Sequence, residues 1–137
     1  GYLKAAGAIM AVADEIKNGI DTIPELALIG EPTFLISFRS DDVDVYHIND
    51  FMKSKGWRFN VLQLPPALHF CVTMPQTFIA GIAGQFLKDL REGVKYAQSK
   101  EGTTAETTAL YGMAGTVDGN RQMTEIMYGF FDYLYSL

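Results

Sequence analysis

The chain has 137 residues, 48% of them hydrophobic and 20% charged, with 11 basic and 16 acidic side chains giving a formal net charge of −5. This length and balance describe one folded unit and exclude a disordered or low-complexity segment. The acidic sum, with no cluster of Lys or Arg, excludes nucleic-acid binding by counterion release; a single cysteine, Cys71, excludes an internal disulfide or a cysteine metal cluster.

Between Gly1 and about Ile20, Leu3, Ala6, Ile9, Met10, Ala13, Ile16 and Ile20 recur at helical spacing, which predicts an amphipathic helix. No cap or leading loop precedes it, so the start reads as a cut rather than a natural end. Leu26–Gly30 and Thr33–Arg39 are predicted strands joined by a turn at Glu31-Pro32, with Phe34, Ile36 and Phe38 sharing one face of the second. Ser40-Asp41-Asp42 offers a helix cap. Val43, Val45, Tyr46, Ile48, Phe51 and Met52 form the apolar stripe of the helix that follows, which Gly56 ends in the left-handed region.

Trp57–Leu64 and Ala67–Thr73 read as strands separated by Pro65-Pro66, neither of which can donate to a ladder. Thr77 to about Gln98 is the longest predicted helix, burying Phe78, Ile82, Phe86, Leu87, Leu90 and Val94. Lys100–Thr108 is a small polar linker. Ala109–Gly115 is a short glycine-flanked motif, and a final helix rich in aromatic residues runs from about Asn120 to Leu137. This order predicts an α+β fold, a three- to four-stranded, mostly antiparallel sheet with helices on one face. Residues 1–100 are expected to form a small α+β domain, and residues 101–137 the loop, motif and terminal helix of the same domain.

Side chains able to carry chemistry are few. His47 is expected at the surface of its helix, and His69, between Leu68 and Phe70, as a satisfied interior or interface residue. No histidine or cysteine spacing suits a metal. Cys71 reads as a small buried hydrophobe and Trp57 as a core aromatic. Lys4, Lys17, Lys53, Lys55, Lys88, Lys95 and Lys100 fall on polar helical faces or in loops, so none is expected to lose its proton and hold a carbonyl cofactor. Tyr111 stands out: it lies between Leu110 and Gly112 in a brief apolar motif, and glycines at 112 and 115 would let the backbone present a phenol as a hydrogen-bond donor to a phosphate or oxyanion. No continuous apolar run approaches a membrane span and no signal peptide is evident, which predicts a soluble protein of a reducing, cytoplasmic compartment.

Several stretches together resemble the sphingosine-1-phosphate lyase family: Lys55-Gly56-Trp57, Leu62-Gln63-Leu64-Pro65-Pro66-Ala67-Leu68-His69-Phe70-Cys71-Val72-Thr73, Gln85-Phe86-Leu87-Lys88-Asp89-Leu90-Arg91-Glu92, Leu110-Tyr111-Gly112-Met113-Ala114 and Leu134-Tyr135-Ser136. The resemblance implies the C-terminal small domain of a fold-type-I pyridoxal-phosphate enzyme, related to the group II decarboxylases and working as a homodimer. It implies cleavage of a phosphorylated long-chain base to a fatty aldehyde and phosphoethanolamine, with the cofactor and its lysine in a large domain outside this chain. By the same resemblance Tyr111 is the catalytic and substrate-binding residue, and Arg121 is a candidate contact to the substrate phosphate. Alternatives are the corresponding domain of a pyridoxal-phosphate amino-acid decarboxylase and a free-standing α+β binding or dimerisation module. In either lyase or decarboxylase form the chain alone is expected to be inactive.

Overall fold

A computed structural model describes residues 2–30 and 35–112. The chain divides into two compact units, residues 1–103 and residues 104–137. The first holds, in chain order, α1 (Tyr2–Asp21), β1 (Ala27–Leu28), β2 (Leu35–Arg39), α2 (Val45–Ser54), β3 (Asn60–Gln63), β4 (Pro66–Cys71), α3 (Met74–Thr77) and α4 (Ile82–Ser99). The second begins with α5 (Glu106–Gly112).

The four strands form one antiparallel sheet in the order β1-β2-β4-β3. Because side chains alternate along a strand, register decides which residues meet the helices. Ile36 pairs with Phe70 and Phe38 with Leu68, and all four are buried. Helix α4 lays Phe86 against this face at 4.8 Å between ring centroids from Phe70. Trp57 meets Phe86 edge-on at 5.0 Å and Phe70 at 5.9 Å. Such ring pairs contribute about 0.5–1.5 kcal/mol each beyond the area they bury. Helix α4 also packs against both α1 and α2, through Leu87, Leu90 and Val94 on its inner side.

Cys71 pairs with Leu35 on the opposite face and is exposed, so the expectation of a buried thiol is corrected. Strand parity is the reason, since a continuous apolar run does not say which of two alternating sets points inward. His69, paired with Ser37 on that same face, is half-buried.

Several boundaries differ from expectation for local reasons. The cap of α2 is Asp44, whose Oδ1 accepts the Tyr46 N–H at 2.9 Å. The Ser40 hydroxyl, expected near the helix start, instead accepts the N–H groups of Asp42 and Val43 at 3.1 Å each. Strand β3 starts three residues after Trp57, because the Trp57 N–H donates to the Met52 carbonyl and closes the end of α2 rather than joining a ladder. Gly56 takes the expected left-handed conformation, with φ of 93°. The expected long helix is two helices. Pro75 sits in the first turn of α3, and Gly81 at φ of 72° interrupts the chain before α4 starts. Phe78, expected on the buried stripe, falls in that interruption and is 78% exposed.

Candidate functional site

The residues leading to Tyr111 are organised by the end of α4. At its C-cap the Lys100 N–H donates to the carbonyls of Tyr96 and Ala97, both at 3.1 Å. Gly102 then adopts φ of 83°, a conformation that a Cβ would strain. The Thr103 N–H and hydroxyl both return to the Lys100 carbonyl, at 3.0 and 2.6 Å. Three residues later α5 begins, with Glu106 in its first turn, where a carboxylate suits the positive end of the helix dipole.

Tyr111 is the penultimate residue of α5. The motif around it was expected to turn at Gly112, whereas that glycine belongs to α5. Ala109 N–H donates to Ala105 O at 3.0 Å, an ordinary helical bond. Arg121, the other residues after Gly112 and the expected final helix lie outside the described residues. The structure therefore does not bring Tyr111 and Arg121 together or hold them apart.

His47 is the principal correction among the candidate side chains. It is 3% exposed, not a surface residue. The reason is long-range: the C-terminal end of α4 and the following turn lie over its flank of α2. Its Nε2 is 3.0 Å from the Thr103 carbonyl and 3.3 Å from the Thr103 hydroxyl. The Tyr96 ring stands edge-on to the imidazole at 6.2 Å. With the carbonyl only able to accept, the ring carries its proton on Nε2. A cleft of about 230 Å³ next to it is lined by Asp41, Asp42, Asp44, Gln98 and Lys100.

Trp57 is buried as expected, at 8% exposure. Its indole N–H donates to Asp89 Oδ2 at 2.8 Å, and Gln85 donates to Asp89 Oδ1 at 3.0 Å. Asp89 was not singled out from the sequence. The signal was present: an acidic residue inside the apolar stripe of α4 needs donors, and the chain's one tryptophan can supply one.

Six of the seven lysines are exposed. Lys17 is the correction, nine-tenths buried in α1 beside a cleft of about 450 Å³ that Asp14, Asp21 and Ser37 also line. Among the described residues no group of three or more His, Cys, Asp or Glu side chains could hold a metal ion. No helix among them is long and apolar enough to cross a membrane.

No family model matches the chain. Individual proteins do. It is 40% identical, over 96% of its length, to a sphingosine-1-phosphate lyase of Oryza sativa subsp. japonica. It is 38% identical over 99% of its length to sphingosine-1-phosphate lyase 1 of Rattus norvegicus, and 32% identical over its whole length to the Saccharomyces cerevisiae enzyme of that name. The chain spans about a quarter of the length of these relatives, 24% in each case. A solved sphingosine-1-phosphate lyase from Burkholderia pseudomallei superposes on 72% of this chain with a TM-score of 0.69 and 50% identity, over 22% of its own length. A solved C-DES variant with glycine covalently linked to its PLP cofactor matches 61% of this chain and 22% of its own at a TM-score of 0.52. Its 16% identity shows likeness of fold alone. The antiparallel α+β domain implied by the sequence is thus the one found, and the chain belongs to the sphingosine-1-phosphate lyase family.

Proposed function

We propose that the complete polypeptide is a pyridoxal-phosphate-dependent carbon–carbon lyase that cleaves a phosphorylated long-chain base, sphingosine 1-phosphate or a near relative, to a fatty aldehyde and phosphoethanolamine. This chain is then its C-terminal small domain and is inactive alone. One observation carries the reading: the match to these lyases covers 96–99% of the chain, a span that takes in the sheet and α5. Residues 1–100 and 101–137 are read as one structural contribution to that enzyme, which works in the cytoplasm as a homodimer.

The described residues do not fit the cofactor. Six lysines are exposed, and Lys17 lies in a helix with carboxylates rather than a phosphate-binding loop around it. The lysine and the cradle are therefore assigned to the rest of the polypeptide. When bound there, the cofactor supplies an electron sink. The contribution of this chain is a donor. The Tyr111 phenol hydrogen-bonds to a substrate oxygen as charge develops on it, and Arg121 pairs with the substrate phosphate.

The test is full-length protein incubated with sphingosine 1-phosphate, with aldehyde and phosphoethanolamine measured together. Release of both at equal rates supports the reading; carbon dioxide from an amino acid instead overturns it. In that assay Tyr111→Phe is expected to lower kcat by about a hundred- to thousand-fold, the usual effect of removing one donor to developing charge. Turnover within about threefold of the parent, under 1 kcal/mol, takes Tyr111 out of the active site.

A further inference from the structure

One stretch of the first unit has a charge pattern unlike the rest of the chain. None of the 16 acidic residues falls between Asp50 and Asp89, where the charged side chains are Lys53, Lys55, Arg58 and Lys88, all exposed. Asp89 closes the stretch without adding a surface charge, since it is buried and engaged by Trp57 and Gln85. Within the same stretch Phe78 and Ile79, adjacent in the turn between α3 and α4, are 78% and 54% exposed. The fold brings these features to one end of the unit. Strands β3 and β4 are antiparallel with Asn60 opposite His69, so residues 53–58 enter β3 at the end where β4 leaves toward α3. Trp57, next to Arg58, has its ring 5.0 Å from Phe86, near the start of α4 and a few residues after Phe78 and Ile79. Leu64 is also exposed, but it sits at the opposite tip of that hairpin with no Lys or Arg within five residues. The turn that carries Phe78 and Ile79 satisfies its own backbone: the N–H groups of Phe78, Ile79 and Ile82 donate to the carbonyls of Pro75, Gln76 and Ile79 at 3.3, 3.1 and 3.3 Å. It can therefore leave water without orphaning those donors.

We propose that this end of the unit seats on an anionic lipid bilayer, with Phe78 and Ile79 inserted among the headgroups and Lys53, Lys55 and Arg58 against the negative lipid surface. Charge complementarity selects the occupant, because such a bilayer is negative at its surface and apolar just beneath. Three exposed cations are too few to hold a nucleic acid, yet a few cations beside an apolar wedge supply the two signals that peripheral attachment to a membrane needs. The proposal deepens the reaction assigned above and rests on it for its purpose: the tail of a phosphorylated long-chain base holds that substrate in a bilayer, where an enzyme seated on the same surface meets it.

The experiment uses full-length protein and vesicles of phosphatidylcholine, alone or mixed with an equal part of phosphatidylserine, with bound protein measured by sedimentation. The parent is expected to prefer the mixed vesicles. The triple change Lys53→Gln, Lys55→Gln and Arg58→Gln should lower affinity for them on the order of a hundredfold, about fivefold for each cation at the surface. Phe78→Ser with Ile79→Ser should weaken binding to both kinds of vesicle. Both variants should keep the parent's kcat on substrate dispersed in detergent. Parent-like binding of either variant to the mixed vesicles overturns the proposal. A thiol placed by Phe78→Cys in a Cys71→Ser background reports what covers the site. It should react quickly with a soluble maleimide in free protein and slowly once mixed vesicles are added. Slow reaction without vesicles means that the rest of the polypeptide or a second copy lies over the site, which also overturns the proposal. An active lyase with no preference for the mixed vesicles sinks the proposal alone. Vesicle binding lost in both variants, by a protein that releases no aldehyde, upholds the surface and sinks the assigned reaction.

Discussion

Asp89 shows what a buried carboxylate requires. It is 6% exposed, and its two oxygens take one donor each, Trp57 and Gln85. Removing a donor leaves the carboxylate desolvated and short of a partner, so Trp57→Phe is expected to cost about 1–3 kcal/mol for the unmade hydrogen bond, besides lost packing against Phe86. Asp89→Asn should cost less. Its amide oxygen can accept from the indole while its amide nitrogen donates to a Gln85 side chain turned by half a revolution, so both bonds survive. Thermal melting of full-length Trp57→Phe and Asp89→Asn proteins, read with an optical probe of this domain, ranks the two. Equal losses would mean that the charge, not the bond count, sets the stability of this pair.

Helix α1 offers a controlled comparison within one element. Gly7 and Gly19 both lie inside it. A Cβ at Gly7 meets nothing within 4 Å, whereas one at Gly19 would fall 2.2 Å from Leu87 Cδ1 and 2.9 Å from its Cγ. Gly7→Ala should therefore gain about 0.5–1 kcal/mol from helix propensity alone. Gly19→Ala should lose about 1–3 kcal/mol, because α1 and α4 must separate or Leu87 must leave its rotamer. Chemical denaturation measures both, and opposite signs are the expected result. These helices were legible from the sequence because the 3.6-residue period of Ala13, Ile16 and Ile20, or of Phe86, Leu90 and Val94, survives any error in their ends. The break before α4 was not legible: Phe78 and Ile79 continue the apolar pattern, and only backbone conformation at Gly81 excludes them from the helix. Parity at Cys71 and burial at His47 were illegible for another reason. Each is decided by a partner more than 30 residues away, Leu35 in one case and Thr103 in the other. Tyr111 was singled out by its flanking glycines and by resemblance, and its helical setting in α5 could not be read from a motif that looked like a turn.

For the whole molecule, the placement of the lysines predicts where the cofactor is not. If full-length holoenzyme is reduced with borohydride and digested, the labelled lysine should map outside residues 1–137, since none of the seven here has a setting suited to it. Stoichiometric labelling of Lys17, the buried one, would contradict that assignment. The strand order carries a consequence in time. Strand β2 is the second strand made but lies between β1 and β4, and its pairing with β4 joins Leu35 to Cys71. β3 and β4 are neighbours in sequence and can pair as soon as they emerge. β2, by contrast, keeps one edge open until the chain has grown another 36 residues, the separation of that terminal pair. At about 5–20 residues per second of synthesis, this is roughly two to seven seconds on the ribosome. During that interval the apolar Ile36 and Phe38 lack the neighbouring strand β4, so a stall that leaves β2 outside the ribosome and β4 still inside it should expose the nascent chain to chaperone capture, whereas a stall after β4 has emerged should not.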